Sequence, residues 1–145
     1  MARFAVRPPV WFWLVSVVLL LWEAMGVWSW WEQVTRGAAA MGATPTDYDL
    51  RYYAALPAWY AWLYGAAVWT GLAGGALLLA RKQAARPIYT ISLLATVAMF
   101  AWTFLATDLI AAKGIWVSYF PAAIIAIGAF SLWWAGYGVR RGWLR

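Results

Sequence analysis

The stretch VWFWLVSVVLLLWEAMGVWSWWEQV, running from Val10 to Val34, decides the fold. It carries no charge from Val10 to Trp22, and it is long enough to cross a bilayer core about 30 Å thick, which takes about 20 apolar residues. Arg7-Pro8-Pro9 precedes it, and proline opens a helix but does not sit inside one. The apolar run is about twice the 7–15 residues of a signal-peptide core, so a retained helix is expected.

Three more stretches repeat the pattern. The second span covers 57–80 and stops at Arg81-Lys82; the third covers 87–112 and again opens on a proline, Pro87. The fourth covers 115–139 and ends at Arg140-Arg141, with Pro121 marking where its regular helix is expected to begin. Across all 145 residues 66% are hydrophobic and 11% charged, with mean hydropathy +0.68. Soluble domains run about 45–50% apolar and about 25% charged, so lipid is the expected solvent. The expected fold is all-α: an integral membrane protein with four transmembrane helices in an antiparallel bundle, forming one domain over 1–145.

Orientation follows from the basic residues. Arg3, Arg7, Arg81, Lys82, Arg86, Arg140, Arg141 and Arg145 fall on one side, against Arg36, Arg51 and Lys113 on the other. The positive-inside rule then expects both termini in the cytoplasm and the chain in a bacterial inner membrane. The net charge of +6 is read as a topology signal, so no nucleic-acid partner is expected. Eleven of the fourteen tryptophans fall near span ends, where indole favours the headgroup region; Trp22, Trp69 and Trp102 fall near mid-membrane.

The outer loop 35–56 is the longest connection. Its second half, from Thr46 to Tyr53, reads as a short interfacial helix capped by Thr46 or Asp47, with Tyr48, Tyr52 and Leu56 on one face. That face is expected on the membrane surface, with Tyr48 and Tyr52 as candidate partner contacts. In lipid, helices associate through small residues, and three seams stand out. They are Gly71-x-x-x-Gly75 in the second span, Gly128 with Ser131, Ala135 and Gly138 in the fourth, and the stripe Ser92, Thr96, Thr103, Thr107 in the third.

Glu23 is the sharpest single feature. An ionised side chain at that depth costs about 2.5–3.5 kcal/mol, and no Lys or Arg lies within a span to meet it. It is expected to be neutral and to bond a third-span threonine, a carbonyl or a tryptophan N–H. Together with Trp22, Trp69 and Trp102 it is a candidate partner or ligand contact. With neither His nor Cys, zinc sites, disulfides and imidazole bases are excluded; no catalytic residue, metal or cofactor is expected, and neither is an enzyme.

The elements Trp22-Glu23-x-x-Gly26, Pro57-Ala58-Trp59, the glycine-rich second span and the ending Arg141-Gly142-Trp143-Leu144 resemble a group of small four-helix proteobacterial inner-membrane proteins. Some of that group are labelled sugar transporters. Where the group has Asn after the first tryptophan, this chain has Glu23. Two functions are therefore expected as alternatives. One is a non-catalytic accessory or assembly subunit of a larger respiratory or photosynthetic membrane complex, with lipids and other transmembrane subunits as partners. The other is a small self-associating transporter of a solute such as a sugar, with Glu23 in its pathway.

Overall fold

The computed structural model describes residues 6–42 and 44–145; Arg3 lies outside them. Among the described residues every regular element is helical. Four helices are long and apolar enough to cross a membrane. They are α1 (Val10–Arg36), α3 (Ala58–Leu79), α4 (Ala85–Ala106) and α6 (Tyr119–Arg140). Two short helices, α2 (Asp47–Ala54) and α5 (Leu109–Lys113), occupy the connections at the end away from the termini, which we call the loop end.

Prolines set the helix starts as their fixed φ requires. Pro9 and Pro57 occupy the caps of α1 and α3, and Pro87 and Pro121 fall in the first turns of α4 and α6. The third apolar stretch is not one helix to 112. It breaks where Thr107 turns extended, and α5 follows as a separate turn of helix. The break puts Asp108 in the connection, where its carboxylate meets Tyr48 instead of an apolar helix face. Ahead of α6, Ile115–Ser118 form a 3₁₀ turn, so the regular helix begins two residues before Pro121.

Glycines on α3 let its neighbours come close. On the α1 side, Leu20 packs on Gly75, Glu23 on Gly71, Val68 on Gly26 and Trp30 on Gly65, so the contacts climb one helix as they descend the other. A Cβ on Gly75 would stand 3.0 Å from Leu20 Cδ1 and 3.2 Å from its Cα. On the α4 side, the Tyr89 ring lies over Gly74, where a Cβ would stand 3.0 Å from it. Ser92 Oγ donates to Ala67 O at 2.7 Å, and the Tyr60 and Thr103 hydroxyls share a bond at 3.1 Å. Bonds of this kind between helices contribute about 0.6 kcal/mol each. Thr96 and Thr103 also bond the carbonyls one turn back, at Ser92 and Met99.

α6 joins through its terminal half. Ser131, Trp134, Ala135 and Gly138 are buried, and Phe12 of α1 stacks on Trp134 with Trp143 closing the cluster. Gly128 receives Leu93 of α4. At this end Arg81 holds the α3–α4 turn at φ 58, a left-handed conformation that costs a non-glycine residue about 1–2 kcal/mol. Its guanidinium donates to Trp143 O and Val6 O, both at 2.9 Å, and Arg145 N donates to its carbonyl at 2.8 Å. One strained residue thus ties both terminal segments to the hairpin.

Gly74→Ala should lower the unfolding free energy by about 1–3 kcal/mol, because the fully buried Tyr89 ring has nowhere to retreat. Gly71→Ala would meet the movable Glu23 carboxyl instead, so its cost should vanish in a Glu23→Ala background. Denaturant titration of the wild type, the three single variants and the Gly71→Ala/Glu23→Ala double variant, followed by helix content, checks both; a Gly71→Ala cost that persists without Glu23 would contradict the packing.

Candidate functional site

Three places gather polar or open features, and they lie at different depths. The innermost is built on the glycine face of α3. Glu23 is buried to 9% exposure with its carboxyl against Gly71, one helical turn from the Tyr89 ring on Gly74. Tyr89 is 1% exposed, and its hydroxyl is the one buried side-chain polar atom without a hydrogen-bond partner among the described residues. The threonines of the third stretch do not reach Glu23, since Thr96 and Thr103 are bonded within α4 and to Tyr60. Glycine, rather than a hydroxyl, makes the room for this carboxyl.

The four candidates Glu23, Trp22, Trp69 and Trp102 do not share one wall, and Trp102, expected midway along its span, lies one turn from the loop end because α4 stops at Ala106. Glu23 faces α3, while Trp22 turns toward α6 and meets Phe120 edge-on at 6.2 Å. Trp69 packs against Trp30, and Trp102 against Trp59 and Tyr60. The Trp30 indole is fixed by donating to Ala61 O at 2.9 Å.

The second place is the loop end. Thr46 and Asp49 form a reciprocal capping box: Asp49 N donates to Thr46 Oγ1 at 3.2 Å, and Thr46 N to Asp49 Oδ2 at 2.9 Å. Asp49 is buried and also paired with Lys113 of α5. Tyr48 donates to Asp108 at 2.9 Å and stacks on Tyr52, which sits beside Thr103 and Tyr60. The tyrosine face of α2 therefore covers the ends of α3 and α4 rather than lying open on a membrane surface. Sequence spacing placed Tyr48 and Tyr52 on one face correctly, but nothing local paired Lys113 with Asp49, 64 positions away.

Electrostatics follow this pairing. The Lys113 ammonium, helped by the Thr46 amide, holds the Asp49 carboxyl at about 2. Burial and the bond to Asp108 push the Tyr48 hydroxyl up to about 12. Beside α2 a recess of 260 Å³ opens between Gln33, Gly37, Tyr53, Leu56 and Tyr60.

The third place is an apolar recess of 330 Å³ between α1 and α6, lined by Val18, Leu19, Trp22, Ala126, Ile127 and Phe130. It lies along the open half of α6: no residue from 119 to 130 is buried, whereas the other half is packed. No family model, curated protein or solved structure matches the chain.

Because Asp49 titrates lower folded than unfolded, its pairing stabilises the loop end above the ordinary carboxylate range and is lost as pH falls through about 2. Lys113→Gln should raise the Asp49 value toward about 3.9. A carboxyl-carbon NMR titration reads this directly; an unmoved Asp49 would contradict the pairing.

Proposed function

We propose that this chain is a non-catalytic, multi-pass subunit that packs against other transmembrane polypeptides of a larger complex in a bacterial inner membrane. The four apolar helices form an antiparallel bundle in that membrane, and the end holding the termini faces the cytoplasm. That end collects Arg7, Arg81, Lys82, Arg86, Arg140, Arg141 and Arg145, while every carboxylate lies in α1 or at the loop end. Membrane helices have no hydrophobic drive to associate, so a half-packed helix is completed by close contact with another helix.

The observation that carries the proposal is the unburied half of α6. Ala122 and Ala129 stand exposed there, two turns apart and outside the α1–α6 recess. Small side chains on an exposed face admit a second helix at short range. The scattering of Trp22, Glu23, Trp69 and Trp102 supports an accessory role over transport, since a solute path needs a continuous lining. A respiratory or photosynthetic complex is the class of partner that takes such small subunits.

The test is purification in mild detergent from cells carrying a tagged chain. Recovery of other transmembrane subunits at fixed stoichiometry is expected, falling tenfold or more with Ala122→Trp, equivalent to about 1.4 kcal/mol at the contact. Bundle helicity should be unchanged, because Ala122 is exposed. A free homodimer whose solute uptake disappears in Glu23→Gln would replace this reading with transport.

A further inference from the structure

We propose that the α1–α6 recess holds one acyl chain of an anionic phospholipid whose headgroup is bound by Arg141. The inference rests on the chain's being embedded in a membrane as read above. The recess is closed by aromatic side chains at one end. Trp22 against Phe120 closes it toward the loop end, and toward the termini Phe12 stacks on Trp134, whose Nε1 donates to Ser16 Oγ at 3.3 Å. Between them Val18, Trp22, Ala126, Ile127 and Phe130 offer an apolar slot open to the bilayer.

From this slot a continuous track leads to a cation. Phe130 packs on Trp133 at 5.8 Å, Trp133 on Tyr137 at 5.4 Å, and the Arg141 guanidinium lies over Tyr137 at 5.5 Å and Trp143 at 5.9 Å. The spacing 130, 133, 137, 141 keeps all four on one face of the helix and its exit. Trp11 of α1 flanks the same track, against Tyr137 at 6.4 Å.

Length and charge select the occupant. Ile127 and Arg141 are fourteen residues apart, a rise of about 21 Å. That is half of the roughly 40–45 Å between the outer edges of the two headgroup layers, so a phosphate at Arg141 ends its chain in the slot. A lipid of the opposite leaflet would have to pass the Trp22–Phe120 contact. Arg141 forms no ion pair among the described residues, and the two salt bridges present, Arg36–Glu32 and Lys113–Asp49, lie at the other end of the molecule. A transmembrane helix would fill the slot but would leave this guanidinium without an anion.

Native mass spectrometry of the full chain, released from vesicles of phosphatidylglycerol and phosphatidylcholine in equal amounts, tests the site. One phosphatidylglycerol per chain should survive detergent removal. Its retention should fall at least fivefold in Arg141→Gln, return to within twofold in Arg141→Lys, and be lost in Ala126→Phe, which fills the slot. Equal retention of the two lipids, loss in Arg140→Gln but not Arg141→Gln, or a polypeptide retained in place of lipid would overturn the proposal. Insertion is read separately, as resistance of the reconstituted chain to alkaline extraction. An inserted chain that keeps no phospholipid therefore overturns the lipid site alone, whereas an extracted one overturns the membrane reading and the site with it.

Discussion

Close approach across the glycines of α3 is the constraint on which the rest of the molecule depends. For apolar helices placed in lipid as proposed, burying leucine against leucine would gain little over leaving it in lipid, so dispersion contacts at short range would hold them together. Gly65, Gly71 and Gly75 receive Trp30, Glu23 and Leu20 from α1, while Gly74 takes the Tyr89 ring from α4. A single helix thereby serves as the spine for two neighbours. α6 has no such spine along its whole length, and its buried residues begin only at Ser131, with Ala135 and Gly138 following.

The two ends of the molecule are finished by different chemistry. At the end holding the termini, backbone carbonyls of Val6 and Trp143 converge on Arg81, and the left-handed cost at that residue is offset by charge-assisted bonds. At the loop end, Asp49 serves α2 as capping partner and α5 as counter-ion at once. Between the ends, the Ser92, Tyr60 and Thr103 hydroxyls cross-link α3 and α4, and Ser16 Oγ accepts from Trp134 across α1 and α6, beside a recess whose lining is apolar.

The helical fold was legible because hydropathy and proline position are local properties, and Gly71 and Gly75 announced their seam by spacing alone. The break at Thr107 was not legible, since Leu109, Ile110, Ala111 and Ala112 continue the apolar run and only the Tyr48–Asp108 bond gives the break a reason. Arg81 reads in sequence as a topology charge; its second role depends on where the last three residues fold back, which no local signal encodes. Glu23 stood out for its cost at mid-depth, yet its neighbour proved to be a glycine because helix rotation, not residue type, fixes what faces it. The Trp22 and Glu23 side chains are adjacent in sequence and point to different helices for the same reason.

A fourth long helix that enters the core through Trp134 and Ala135 but is unburied over its first half is what carries the proposed function. Its small exposed residues suit a neighbouring helix, and the recess beside them suits a lipid chain; the two surfaces adjoin at Ala126, which lines the recess between Ala122 and Ala129. The most direct test is a photo-crosslinking residue placed in living cells at Ala122, with Leu94 on the exposed face of α4 as the control. A discrete adduct with another transmembrane polypeptide is expected from position 122 and none from position 94. Adducts with lipid alone at both positions would contradict a helix contact on α6.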